Sequence, residues 1–257
     1  MISKNRVVLH VIILSLSCFS LLAQGSSGSK ATYETRYIVD MPTAGVLPKS
    51  GFSAYAQFFT QGGMLIELAA APFTNFNFGI SYSGINIIGE GDIQFQNLPG
   101  IQIRWRIIDE TKLFPAILIG INTQGRGVFY KNYQRFQTLY PGIYGAVSKN
   151  FTWALGSLAL HGGLNYSFEN RDTKGIPDIW AGLEQSISSS TSINLEYNTN
   201  LDEDHKLMVS RGLLNASLRM SFIRGLTFEL IFRDLFNNTR NISGSERWLG
   251  LEFINNF

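Results

Sequence analysis

The stretch ERWLGLEFINNF, residues 246–257, alternates apolar and polar side chains and finishes on a phenylalanine. Successive side chains of an extended strand point to opposite faces, so this alternation separates the stretch into two sides. The apolar side carries Leu249, Leu251, Phe253 and Phe257, and the other side carries Trp248, Gly250, Glu252 and Asn256. We therefore predict a β-strand that places one face against an apolar phase and the other against a more polar one.

The beginning of the chain has the pattern of an export signal. Lys4 and Arg6 precede the apolar run 7–16, and residues 21–24 read LLAQ, which predicts cleavage after Ala23. The run is too short for a spanning helix. Cys18, the only cysteine, would leave with the signal; its acylation is the alternative, although the preceding Ser-Leu-Ser matches a lipoprotein signal poorly. We expect a signal peptide over 1–23, an N-terminal segment over 24–50 and one domain over 51–257.

Composition excludes several classes. A net charge of +2 does not favour a nucleic-acid partner. After the signal no apolar run approaches the 18 residues that a transmembrane helix needs. A closed β-barrel is the other structure that satisfies its backbone in lipid, and its alternating strands leave mean hydropathy near zero, here +0.05.

Period-two alternation predicts twelve strands, with ten to fourteen as the range. Their spans are 51–61, 64–71, 75–87, 99–108, 114–122, 142–149, 152–168, 176–187, 191–199, 208–222, 226–234 and 246–257. Links after even strands are short, such as 150–151, whereas those after most odd strands are long, such as 123–141; the Gly62-Gly63 link is the exception. This alternation is typical of outer-membrane barrels and predicts an all-β, antiparallel, up-and-down barrel.

The same parity places charged and polar residues on the lumen side. The predicted lumen-lining residues are Glu67, Arg104, Arg106, His161, Asn165, Glu184, Glu196, Asn215, Arg219, Glu229 and Glu252. One interpretation is an electrostatic filter in a pore. The other is a network of paired charges that fills a narrow barrel, which the similar numbers of acids and bases favour.

The final strand resembles the closing strand of a bacterial outer-membrane barrel, whose terminal aromatic is read by the barrel assembly machinery. Leu249, Leu251, Phe253 and Phe257 would form this assembly signal, although Asn255 stands where an apolar residue is usual. We expect the strand to pair with the strand near Gly51. The partners implied are that machinery, outer-membrane lipids and lipopolysaccharide, and the implied location is the outer membrane.

Five further segments follow one another along the chain: 36–45 (RYIVDMPTAG), 98–110 (LPGIQIRWRIIDE), 115–130 (PAILIGINTQGRGVFY), 141–150 (PGIYGAVSKN) and 160–170 (LHGGLNYSFEN). Together they resemble the YjbH-like outer-membrane proteins. The resemblance implies a β-barrel associated with exopolysaccharide production and export, here in a short, single-barrel version. From this resemblance we expect a polysaccharide partner and a role as a channel or accessory factor.

The longest loop, 123–141, is a candidate glycan-binding loop. It has no acid and combines cations with aromatic rings, in Arg126, Phe129, Tyr130, Lys131, Tyr133 and Arg135. Aromatic faces stack on sugars and cations pair with carboxylates or phosphates, which would suit an anionic glycan or lipopolysaccharide. The alternative is a loop that folds into the barrel mouth.

Three other features leave alternatives open. His161, with Asn165, Ser157 and Ser167 on its face, would serve a hydrolase, but a structural histidine is favoured and no catalytic residue is predicted. Asp202, Glu203, Asp204 and His205 are more consistent with a solvated acidic loop than with a cation site, so no metal or cofactor is predicted. Residues 24–50 either plug the lumen or pass beneath it.

Overall fold

A computed structural model describes residues 26–169, 175–203, 207–240, 242 and 244–256. The predicted signal peptide, with Cys18, lies outside these residues. Within them are fifteen strands: β1 (Gly51–Phe59), β2 (Gly63–Phe73), β3 (Phe76–Ile85), β4 (Gln94–Phe95), β5 (Gly100–Ile108), β6 (Ala116–Asn122), β7 (Arg126–Tyr130), β8 (Arg135–Thr138), β9 (Gly142–Trp153), β10 (Gly156–Tyr166), β11 (Asp178–Ser186), β12 (Thr191–Asn198), β13 (Leu213–Ile223), β14 (Leu226–Arg233) and β15 (Glu246–Asn256). No helix among the described residues is long and apolar enough to cross a bilayer.

Twelve of these strands form one closed antiparallel sheet. Each strand pairs with its neighbours in chain order once β4, β7 and β8 are set aside, and β1 completes the ring by pairing with both β2 and β15. Gly51 lies opposite Asn256 and Phe58 opposite Leu249, so the last strand closes the barrel against the strand that begins at Gly51. These pairings confirm the predicted twelve-stranded, all-β barrel.

The remaining strands belong to the long-loop end of the barrel. β4 pairs with the last two residues of β3, and β7 and β8 form a separate hairpin inside the predicted loop 123–141. The short links leave the other end, as at 224–225 between β13 and β14. The predicted alternation of long and short connections is therefore present.

Strand bounds were wrong by four or five residues at two places. The predicted link at 150–151 lies within β9; the chain turns at 154–155 instead, where Gly156 adopts a φ of 111° that favours glycine. The strand predicted to begin at residue 208 begins at Leu213. Met208 belongs to the loop before β13 instead, where it forms a β-bridge with Thr239 of the loop between β14 and β15. Neither change alters which residues face outward.

The outer face of the barrel is an exposed apolar belt. Ile101, Ile103 and Trp105 on β5 are 54%, 38% and 54% exposed, while Gln102 and Arg104 between them are buried. Aromatic rings lie near both ends of the strands, for example Phe222 before a short turn and Tyr197 before a long loop. An apolar band with aromatic residues at its borders is the surface that a transmembrane barrel presents to lipid.

Candidate functional site: the filled lumen

The lumen is occupied by the chain's own N-terminal segment. Residues 36–47 are buried without exception, and the segment runs up the barrel, turns near Asp40 and returns to β1. We call residues 26–47 the plug. Of the two sequence alternatives for residues 24–50, the structure shows the one in which the segment enters the barrel.

Apolar side chains of the plug pack against the wall in three clusters. Ile38 and Met41 contact Trp180 and its neighbours, Val39 lies in a cluster with Trp248, and Leu47 lies in one with Ile254. Two wall glycines make room for large inward rings: a Cβ at Gly120 would lie 2.4 Å from Tyr144, and one at Gly163 would lie 2.2 Å from Trp180. The interior is therefore packed around the plug.

Wall arginines hold the carbonyl groups of the plug. Arg104 donates through Nη2 to the backbone oxygens of Arg36, Thr43 and Gly45 at 2.9, 2.7 and 3.0 Å. Arg219 donates in the same way to the oxygens of Tyr37 and Ile38, both at 2.8 Å. Buried carbonyl oxygens need hydrogen-bond donors, and among the described residues the plug has no neighbouring strand to supply them. Arg104 and Arg219 supply these donors instead.

Glu196 holds the opposite backbone groups at the tip of the plug. Its Oε2 atom accepts hydrogen bonds from the backbone nitrogens of Val39, Asp40 and Met41 at 2.9, 2.9 and 2.8 Å. Its other oxygen accepts one from Asn215 at 3.0 Å. Three amides converging on one carboxylate oxygen fix the turn of the plug in the upper half of the barrel.

Ion pairs link plug and wall side chains. Arg36 lies 2.7 Å from Glu252, and Asp40 lies 2.7 Å from Arg233. At the short-turn end Glu34 lies 2.5 Å from Arg106. Charges on the wall are thus neutralised by charges on the plug as well as by one another, as in the 2.9 Å pair of Arg219 and Glu229.

The structure places the eleven predicted lumen residues on the interior face. Most of them contact the plug: besides those above, Glu67 accepts a hydrogen bond from the Tyr37 hydroxyl at 3.2 Å and Glu184 one from Thr35 at 2.7 Å. Asn165 instead donates to Pro141 O at 3.1 Å. Sequence reasoning missed Arg233 and Glu246, although Arg233 shares the parity of Glu229 on β14 and that parity would have revealed it.

The β7–β8 hairpin closes the lumen from the long-loop end. Arg126 lies over the Tyr37 ring, 4.6 Å from its centre, and Thr138 accepts a hydrogen bond from Arg233 at 2.6 Å. Arg135 makes two hydrogen bonds with Glu203, at 2.9 and 2.5 Å. Arg126 and Arg135 are both buried, so the interpretation of these two cations as an external binding surface for anionic glycans was wrong. Phe129 and Tyr130 are half-buried, and Lys131 and Tyr133 are exposed.

Two acids of the loop between β12 and β13 are also turned inward. Asp202 and Glu203 are buried rather than solvated, while Asp204 and His205 lie outside the described residues. Burial, reinforced by Asp178 and Glu203, raises the pKa of Asp202 to about 7. No group of three or more His, Cys, Asp or Glu side chains in the described part of the chain is arranged to hold a metal ion.

His161 pairs with a serine that sequence reasoning did not consider. Its Nδ1 atom lies 2.8 Å from Ser148 Oγ, which also accepts a hydrogen bond from the plug amide of Ala44 at 2.9 Å. No carboxylate among the described residues makes a hydrogen bond with His161. The pair borders a cavity of about 350 Å³ at the short-turn end, between the plug and the wall. The serine thus joins the plug to the wall.

The predicted assembly strand has its apolar residues on the lipid side. Leu249, Leu251 and Phe253 are about 40% exposed, with values of 42%, 41% and 37%. Phe257 lies outside the described residues.

Comparison with solved structures finds outer-membrane porins. The KdgM porin aligns with a TM-score of 0.46 and 13% identity over 79% of this chain and 98% of that one. The NanC porin aligns with a TM-score of 0.43 and 8% identity over 80% and 99%. No protein-family model matches the chain, and no curated protein does.

The class of the protein follows from its own geometry. A closed antiparallel sheet with a lipid-compatible exterior and a polar interior is a transmembrane β-barrel, and barrels of this kind lie in the bacterial outer membrane. The chain is therefore an outer-membrane β-barrel, with its short turns on the periplasmic side and its long loops outside.

Proposed function

We propose that this protein acts as a closed, non-enzymatic outer-membrane barrel, an accessory to surface polysaccharide that works through its external face. The observation that carries the proposal is the plug: its backbone is bonded by the charges that would otherwise line a pore. The link to polysaccharide comes from the resemblance of five sequence segments, which follow one another in the same order between residues 36 and 170, to YjbH-like proteins.

The strength of the plug's attachment favours a closed state over a pore that opens by itself. Arg104, Arg219 and Glu196 alone make eight hydrogen bonds with its backbone. Withdrawal of the plug would leave these three buried charges without their partners, at a cost of about 1–3 kcal/mol for each buried group left unsatisfied. The closed state is therefore the favoured one.

A second candidate is a passage whose plug is withdrawn by a periplasmic factor. It is favoured by the exposure of residues 29–32 at the periplasmic end, beside the 350 Å³ cavity. A periplasmic protein could bind the plug there. In this case the barrel would be an export channel, and the structure would represent its resting state.

Planar-bilayer conductance of the full mature chain tests the proposal. We expect no stable current steps from the wild-type barrel and clear steps from a variant that lacks residues 28–47. Stable current steps from the wild-type barrel would favour the passage instead.

A further inference from the structure

A groove of about 730 Å³ lies at the external rim of the barrel. It runs between residues 96–101, the β7–β8 hairpin and the chain just beyond β10. Its apolar lining includes Leu98, Pro99, Ile101, Phe129, Tyr133 and Phe168.

One side of the groove continues the lipid-facing surface. Ile101 begins the outward row of β5, and Phe168 follows the outward residues Leu164 and Tyr166 of β10. Leu98, Ile101 and Phe168 are 78%, 54% and 50% exposed. A molecule in this groove would therefore touch the outer leaflet along one edge.

The other side offers polar, mostly uncharged partners. Gln96, Asn97, Thr123 and Gln134 line it. Asn97 and Gln134 are exposed, and Asn97 donates to Gln134 at 2.7 Å, whereas the amide of Gln96 is buried and bonded to Ser83 and to the backbone oxygen of Leu98. Amide and hydroxyl groups beside exposed aromatic rings suit sugar hydroxyls and the apolar faces of sugar rings. This side of the groove has the chemistry of a glycan site.

The charges disfavour an anionic ligand. All the lining residues are described, and none is a lysine or arginine: Arg126 and Arg135 of the hairpin are turned inward, and the exposed Lys131 is not part of the lining. The carboxylate in the lining is Glu169, which accepts hydrogen bonds from the backbone nitrogens of Phe136 and Tyr140. Burial raises the pKa of Glu169 to about 7. A phosphate or carboxylate entering here would meet this acid and no cation.

We propose that the groove binds an outer-leaflet glycolipid through its uncharged sugar headgroup. The sugar would stack on Tyr133 and bond to the neighbouring amides, while the lipid portion would lie along Leu98, Ile101 and Phe168. This inference rests on the proposed function and names a ligand class for its external face. It replaces the anionic glycan that the cations of the loop had suggested.

Native mass spectrometry of the barrel released from nanodiscs tests the assignment. The nanodiscs contain phosphatidylcholine with equal small amounts of digalactosyl diacylglycerol, whose head is an uncharged disaccharide, and phosphatidylglycerol. We expect the released barrel to retain the galactolipid about tenfold more than phosphatidylglycerol. Tyr133→Ala should reduce that retention by about tenfold, the effect of losing one aromatic stacking contact. Phe236→Ala, which removes an exposed ring from another long loop, should leave it unchanged.

Three results would overturn the assignment. They are equal retention of the two lipids, retention that Tyr133→Ala does not change, and loss of the bound galactolipid on adding lipid-free digalactose, which would indicate a soluble glycan. Each can occur in a barrel that does not conduct, so they refute the glycolipid without refuting the closed barrel. Conductance by the wild-type barrel would refute the closed barrel itself.

Discussion

Glu196 shows what a single wall residue contributes to a plugged barrel. Its carboxylate carries both the charge and the free lone pairs that three converging amides require. Arg104 does the corresponding work for three carbonyl groups. An inward-facing charged side chain of the wall thus serves as a hydrogen-bond partner for the backbone of the plug. Its loss leaves buried amide or carbonyl groups without a hydrogen bond.

Replacing Glu196 with Gln should destabilise the plugged state by about 1–3 kcal/mol, because the neutral amide keeps one acceptor oxygen but loses the charge. The check is the temperature of the heat-induced shift of the folded barrel on a gel. Glu90→Gln, in an exposed loop, is the matched control and should behave as wild type. Equal unfolding temperatures for both variants would mean that the carboxylate does not hold the plug.

The hairpin should loosen as the pH rises. Burial raises the pKa of Glu169 from an ordinary value of 4.5 to about 7, and that of Asp202 from 3.8 to about 7. The closed loops then keep protons that opened loops release, so closure is favoured at low pH and loses stability between about pH 4.5 and 7. Amide hydrogen exchange of residues 135–140, corrected for intrinsic rates, should show less protection at pH 8 than at pH 5.5. Protection that is unchanged or greater at pH 8 would contradict this, and Glu169→Gln should reduce the difference.

Residue orientation was predictable from sequence only where it follows local parity. The inward position of Arg104 and Glu196 follows from alternation along one strand. The inward turn of Arg135 does not, because its partner Glu203 is 68 residues away and in another loop. A cation-rich loop therefore resembled an exposed binding surface until the partners of its cations were known.

The strands could be predicted from sequence, because the alternation of apolar and polar residues that defines them occurs within a few consecutive residues. The turn between β9 and β10 was misplaced because Asn150 and Phe151 resemble a short link, while the conformation of Gly156 determines where the chain turns. The plug has no such period: its described pairing is the single bridge between Tyr37 and Pro42. Its course depends on wall groups from many strands and could not be read from its own residues.

Adjacent glycines on β10 test how tightly the wall is packed against its interior. Gly163→Ala should cost about 1–3 kcal/mol, because its Cβ would lie 2.2 Å from the Trp180 ring and 2.3 Å from the backbone oxygen of Gly145. Gly162→Ala, whose Cβ would have an ordinary 3.4 Å contact, should cost much less. Urea unfolding of the two variants in lipid vesicles measures the difference. Equal free energies of unfolding would show that the Trp180 ring does not pack against Gly163.

At the scale of the whole molecule, the barrel wall was predictable and the state of its lumen was not. Twelve strands and their closure follow from alternation and link lengths. An open or filled interior depends on whether residues 26–47 find partners on the wall, and they do so through Arg104, Arg219 and Glu196. The terminal strand therefore identifies a membrane barrel, whereas the plug determines how such a barrel can act.

The position of the plug can be measured by disulfide formation in isolated outer membranes. In Ser27→Cys with Ser221→Cys the two sulfurs replace oxygens 2.8 Å apart, and the chain's only other cysteine lies in the predicted signal peptide. We predict that most molecules form this disulfide under mild oxidation. Ser27→Cys with Ser217→Cys should not, because residue 217 lies about 13 Å away along β13. If the thiol introduced at position 27 stayed reduced and reacted with a bulky maleimide in the first variant, the base of the plug would not lie against β13, which contradicts the path by which the segment enters the lumen.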